Sequence, residues 1–257
     1  MIICISPAKS LDFENAPPLS EVVEPRFIDE AEYLSKKLKT YSSRKIKNLM
    51  DISPALAELN HERYQQWARP FTPQGAKAAV QVFTGDVYVG LNVKELDAKA
   101  QDYLQEHLII LSGLYGALRP NDAILPYRLE MGAAMKVTPA KPNLYKFWAN
   151  KIHDYVQERI DEQPNDVLIN LASNEYFKSV KAKNLKARII TPEFKDWKNG
   201  EYKMLSFFAK KARGYMLRYI AENNINEAED LKGFNSEGYA YNDNLSTEDK
   251  WVFTRDH

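Results

Sequence analysis

Four short apolar runs, at residues 2–5, 108–111, 167–171 and 187–190, each read as a strand with buried faces. Stretches of helical period separate them, so the pattern predicts an α/β protein. Between Phe27 and Val82 the segments "FIDEAEYLSKKLKTY", "SSRKIKNLMDI", "SPALAELNHERYQQWA" and "TPQGAKAAVQVF" repeat apolar residues at spacings of three and four, which predicts a helical lobe over about 27–82. Residues 143–163 and 205–224 read as two longer amphipathic helices. In "DWKNGEYKML", Asn199-Gly200 supplies the left-handed geometry of a two-residue hairpin turn, so the sheet is expected to be mixed. No repeat or low-complexity linker marks a boundary, and the expectation is one compact domain over residues 1–257, a mixed sheet flanked by helices.

Composition narrows the classes. A chain of 257 residues buries a substantial core without staples, and its single cysteine, Cys4, allows no internal disulfide. Cys4 lies in an expected buried strand, where a thiol is inert packing. The start "MIICISPAKS" lacks a basic leader and no segment reaches the roughly 20 apolar residues of a membrane span, so a soluble protein of the reducing cytoplasm is expected, with no membrane partner. The four histidines, His61, His107, His153 and His257, are dispersed, and no ligand pair suggests a metal site or a cofactor. Dinucleotide, phosphate-loop and nucleophile-elbow motifs are absent.

Charge is balanced overall, at 35 basic and 35 acidic residues, but it is segregated along the chain. Residues 178–218 hold twelve basic and three acidic side chains, a net of +9; residues 219–257 carry a net of −6. The basic block is either a set of solvated faces or an anion-binding surface.

Candidate chemistry clusters where apolar runs end. Ser6 and Lys9 follow the first run, and an exposed turn with Lys9 in water is the competing reading. After residues 108–111 come Ser112-Gly113, Gly116, Arg119, Tyr127, Arg128 and Glu130. Arginine grips carboxylate or phosphate through paired hydrogen bonds; equally, Arg128 and Glu130 can pair with each other. The third run is followed by Asn170, Ser173, Glu175, Tyr176 and Lys178. Parallel strands would bring these three exits to one edge of the sheet, where open α/β sheets place ligands.

Two helical segments add charge. "SFFAKKARGYMLRYI" carries Lys210, Lys211 and Arg213, with Gly214 in a helix interior that glycine disfavours, a mark of close backbone packing or a functional approach. In "RKIKNLMDISPALAELNHERY", Ser53 caps a helix that begins at Pro54 and offers amides to a phosphate, with Arg44, Lys45, Lys47 and Arg63 nearby. The pair has the outline of a helix-hairpin-helix, but Asp51 stands where that hairpin has glycine; an ordinary helical pair is the other reading.

The ordered stretches "ISPAKSLDF", "FTGDVYVGL", "LSGLYGALRPND", "PYRLEMG", "NLASNEYFKSVK", "SFFAKKARG" and "GFNSEGY" resemble the YaaA family of peroxide stress resistance proteins, over nearly the whole chain. The resemblance implies a cytoplasmic protein of the peroxide response that limits iron-driven oxidative damage and binds DNA. It also implies a single α/β unit called a cantaloupe fold, with a helix-hairpin-helix over residues 43–64 and a basic cleft drawing on Lys9, Arg119, Arg128, Lys178, Lys181, Lys210, Lys211 and Arg213.

The leading functional expectation is thus a non-enzymatic binder of double-stranded or structured DNA that contacts the backbone with little sequence preference, with Lys45, Lys47 and Ser53 adding to the cleft residues. The alternative is an enzyme acting on a nucleic-acid base or nucleotide, with Glu130, Glu175 or Asp86 as acid or base beside Tyr88 or Tyr127. Direct iron or haem handling is a third reading, which the dispersed histidines oppose.

Overall fold

A computed structural model describes residues 1–256; His257 lies outside the described residues. The chain opens with β1 (Ile2–Ile5), then runs through three helices, α1 (Ile28–Lys39), α2 (Ser43–Met50) and α3 (Pro54–Gln66). Next come β2 (Lys77–Ala78), α4 (Ala79–Val82), α5 (Asp86–Leu91), α6 (Ala98–His107), β3 (Leu108–Ser112), β4 (Gly116–Leu118) and β5 (Ala123–Ile124). The second half contains α7 (Leu144–Trp148), α8 (Lys151–Asp161), β6 (Val167–Leu171), α9 (Asn174–Phe177), β7 (Arg188–Lys198), β8 (Glu201–Lys203), α10 (Ser206–Glu222), β9 (Ala240–Tyr241) and β10 (Lys250–Arg255).

The main sheet has eight strands in the order β4-β3-β1-β6-β7-β10-β9, with β8 paired to β7. Its five central strands, β3, β1, β6, β7 and β10, are parallel; β4, β8 and β9 are antiparallel to their neighbours. The sheet is therefore mixed, as the Asn199-Gly200 turn requires: both residues have positive φ, 54° and 84°, and Lys198 pairs with Glu201 across them. Strand β1 is buried at every position because parallel central strands are covered on both faces. The helices over 28–66 do not form a separate body, since Leu34, Leu38, Ile46 and Tyr64 join the same apolar core as β1 and β6.

Several expectations shift in detail. "TPQGAKAAVQVF" forms one helical turn, α4, preceded by β2, which pairs with β5. The helix expected over 143–163 is two helices, broken at Ala149, whose φ of 48° leaves helical geometry. The run at 187–190 opens a much longer strand, β7, and β10 adds a strand outside the four apolar runs. Residues 51–53 join α2 to α3, with Asp51 in the left-handed conformation and the Ser53 hydroxyl accepting from the Leu56 amide at 3.3 Å.

A candidate anion-binding cleft at the switch point of the sheet

Strand order places the cleft. The connection leaving β1 leads to β3 on one side, whereas the connection leaving β6 leads to β7 on the other. The chain thus diverges between β1 and β6, and a crevice opens beyond their carboxyl ends. There the two exits meet: the Ser6 hydroxyl donates to the Ser173 hydroxyl at 3.2 Å and accepts from the Ser173 amide at 2.9 Å. The strap after β1 is pinned by backbone bonds from Thr84 to Ser10 and from Asp12 to Val82, and Tyr88 donates its hydroxyl to the Ser6 carbonyl at 3.0 Å. Beside these contacts lies an open cleft of about 400 Å³, lined by Ser6, Lys9, Asp86, Ser173, Glu175, Lys210 and Arg213 among others. That volume is ordinary for a small-ligand site.

Helix α10 brings its cations to this edge because it lies backbone to backbone on α5. A Cβ on Gly214 would stand 1.9 Å from the Val87 carbonyl oxygen and 2.8 Å from the Gly90 Cα, so only glycine permits the approach. Of the two meanings of Gly214, close packing is the one observed. Arg213 is half-buried and, among the described residues, makes no ion pair or hydrogen bond. Burial works against its charge, offset only in part by the Glu193 carboxylate, and its affinity for the proton is lowered accordingly. Lys210 is exposed, and the Asp86 carboxylate, half-buried at the start of α5, likewise makes no hydrogen bond or ion pair among the described residues.

A second group closes one side. Glu130 receives Lys9 Nζ at 2.6 Å on one oxygen and Arg128 Nη2 at 3.1 Å on the other. The loop bearing them lies directly on the β3 exit: a Cβ on Gly113 would be 2.3 Å from the Leu129 carbonyl oxygen. Tyr64 of α3 donates to the Arg128 carbonyl at 2.5 Å, and Glu175 accepts from the Gly132 amide at 2.8 Å. The break after residues 108–111 into glycines and a polar loop therefore folds that loop back over the strand end. Tyr127 is committed to Ser112 at 2.7 Å, and burial raises both Tyr88 and Tyr127 above the ordinary phenol range, so both stay neutral.

The eleven expected phosphate contacts do not share one surface. Lys9, Lys210 and Arg213 line the cleft, and Arg128 borders the narrow crevice beside Lys9. Arg119 is carried away: β4 runs antiparallel to β3, so the residue after Leu118 returns toward the amino end of β3. There its Nε donates to the buried Asp122 at 3.1 Å, beside Glu106 and Arg159 in a separate hollow. Lys178 and Lys181 line another hollow with Lys183; Lys178 Nζ is 5.0 Å from the Tyr145 ring and Lys181 Nζ 2.6 Å from Asn150 Oδ1. Lys211 turns back onto Tyr215, its Nζ 5.3 Å from that ring. Lys45, 3.5 Å above Tyr41, edges a groove of about 600 Å³ with Lys37 and Lys136, while Lys47 and Ser53 are exposed. What spacing did not reveal is the positioning role of Tyr64 and of Tyr88, expected only beside a catalytic acid or base, because their partners are 64 and 82 residues away.

Among the described residues no cluster of three His, Cys, Asp or Glu side chains is arranged to hold a metal ion, and no helix is long and apolar enough to cross a membrane. Burial raises the Cys4 thiol to about 12.

Fold and site together define an α/β protein with a mixed-charge cleft at the switch point of a largely parallel sheet. Residues 1–245 match the family described as peroxide stress protein YaaA, and the chain belongs to that family. It is 49% identical over 255 residues to a UPF0246 protein of Neisseria gonorrhoeae, covering 99% of this chain and 98% of the relative. A UPF0246 protein of Bordetella petrii is also 49% identical over 255 residues, covering 99% of both chains.

Proposed function

We propose that this member of the peroxide stress family is a DNA-binding protein that holds backbone phosphates at the switch-point cleft, without sequence preference and without turning the DNA over. The observation that carries the reading is Arg213, a half-buried guanidinium that lines the cleft and makes no ion pair among the described residues, with only the Glu193 carboxylate offsetting its burial in part. A desolvated cation that is only partly compensated is retained at a cost, and a phosphate oxygen satisfies it. Lys210 and Lys9 add charge at the same edge, and the α2–α3 pair, as a helix-hairpin-helix-like element with Lys45, Lys47 and the capped amino end at Ser53, supplies a second backbone contact. On this reading the chain carries the cantaloupe fold, acts in the cytoplasm on double-stranded or structured DNA, and limits iron-driven damage indirectly, by shielding DNA. Titrating a labelled duplex at increasing salt tests it. Affinity falls steeply on a log–log plot if phosphates are neutralised; a flat line overturns the reading.

One observation favours a second reading, an enzyme acting on a nucleic-acid base or nucleotide. Asp86 is a cleft carboxylate with no partner among the described residues, unlike Glu130 and Glu175, which are engaged. Asp86→Asn separates the two: lost turnover on modified DNA with unchanged binding supports the enzyme, and no release of base or nucleotide by the wild type removes it.

A further inference from the structure

Of the four tryptophans, Trp67, Trp148 and Trp251 are 1–2% exposed, whereas Trp197 is 45% exposed. Trp197 stands directly opposite Tyr202 in the β7–β8 hairpin, their ring centroids 5.0 Å apart and edge-on. Cross-strand partners share a sheet face, and Met204, just past the end of β8, is 48% exposed. The chain then enters α10, where Phe207 is 60% exposed. Lys210 follows Phe207 by three residues, about one helical turn, and already lines the cleft. Exposed apolar side chains, two of them the rings of Trp197 and Phe207, thus follow one another along the chain from the hairpin into the helix that carries Lys210.

The surroundings indicate what covers it. The strip lies within the segment of net charge +9. Of its nearby acids, Glu201 is paired with Lys203 at 2.7 Å and Asp196 with Arg255 at 2.6 Å, while Asp256 accepts from the neutral Tyr202 hydroxyl at 2.8 Å and keeps its charge. Lys198 and Lys210 make no ion pair among the described residues. Exposed rings interleaved with uncompensated lysines match a single strand, whose bases offer free faces and whose phosphates follow alongside. A duplex keeps its bases stacked on each other and offers those rings nothing. We infer that Trp197 and Phe207, with Met204 as an apolar contact between them in the chain, form a stacking platform for unpaired bases of single-stranded DNA that leads into the phosphate cleft, and the inference rests on that cleft binding DNA.

Trp197 is its own reporter. Oligothymidylate titrated into the full-length protein should quench tryptophan emission, and Trp197→Ala should abolish the change. Trp197→Ala and Phe207→Ala should each weaken oligothymidylate binding about tenfold while leaving a duplex of equal length within about twofold. Trp197→Phe, which keeps a ring, should retain most of the single-strand affinity and guards against a misfolded hairpin. Duplex binding with no oligothymidylate binding, or equal losses on both DNAs, overturns the platform and leaves the cleft reading standing. Failure to bind either DNA overturns both. Protection of Trp197 from acrylamide that rises with protein concentration alone assigns the strip to a second copy of the chain and overturns the inference.

Discussion

Lys9 and Glu130, 121 residues apart in sequence, meet with Nζ 2.6 Å from Oε2 and so tie the exit of β1 to the loop folded over the exit of β3. The other carboxylate oxygen holds Arg128, whose side chain is 15% exposed and whose buried Nε has no hydrogen-bond partner among the described residues. Glu130 is thus the counter-ion of a mostly buried guanidinium. Glu130→Gln should destabilise the fold by about 1–3 kcal/mol, since it leaves Arg128 buried with a neutral partner. Urea unfolding checks this. DNA affinity should hold or rise, because Lys9 is released; a loss of affinity with unchanged stability would contradict the assignment.

Arg213 predicts the opposite balance. It pays a desolvation cost without an ion pair among the described residues, so Arg213→Met should leave stability unchanged or raise it by up to about 1 kcal/mol. The same variant should weaken duplex binding and lower the salt slope by about one phosphate contact. Thermal unfolding alongside a salt titration reads both. A variant that unfolds more easily and binds normally would make Arg213 a structural residue.

Gly214 sets where these cations stand. Alanine there would place a Cβ 1.9 Å from the Val87 carbonyl, a rigid backbone atom, so α10 must move off α5. The cost expected from such overpacking is about 3 kcal/mol or more, seen as a lowered midpoint in urea. Because Lys210 and Arg213 ride on α10, the variant should also bind DNA more weakly under conditions where it remains folded. Alanine at Gly200, where a Cβ would meet nothing within 4 Å, controls for loss of a glycine alone, although its φ of 84° adds local turn strain.

Local pattern carried the parts of the fold that local forces determine. The runs at 2–5 and 167–171 coincide with β1 and β6, the Asn199-Gly200 turn forms, and the three strand exits share one edge because β3, β1 and β6 are parallel neighbours. What spacing could not convey was direction after a turn. Arg119 follows the β3 exit closely in sequence, yet one antiparallel strand returns it to the far edge of the sheet. Lys178 and Lys181 likewise trail the β6 exit but settle on Tyr145 and Asn150, partners supplied by α7 and the residue before α8. Strand β10 lies in an acidic stretch and takes its place by pairing with β7, a contact across 59 residues that no periodicity announces.

Asp122 gives a prediction in pH. It is 1% exposed, and burial raises its carboxyl from the ordinary 3.8 to about 6, although the Arg119 amide and guanidinium both donate to it. Between those two values the folded protein holds a proton that the unfolded chain has released. The contribution of this group to stability is therefore largest below about pH 4, falls as pH rises toward 6, and is constant above it. Two pH units correspond to a loss on the order of 3 kcal/mol. Asp122→Asn cannot ionise, and its single amide oxygen keeps one of the two bonds from Arg119. Urea unfolding of both proteins from pH 4 to 8 should show the variant gaining on the wild type as pH rises to 6, with the gap constant beyond. Parallel curves across the whole range would mean that Asp122 stays ionised in the fold, with Arg119 compensating its burial in full.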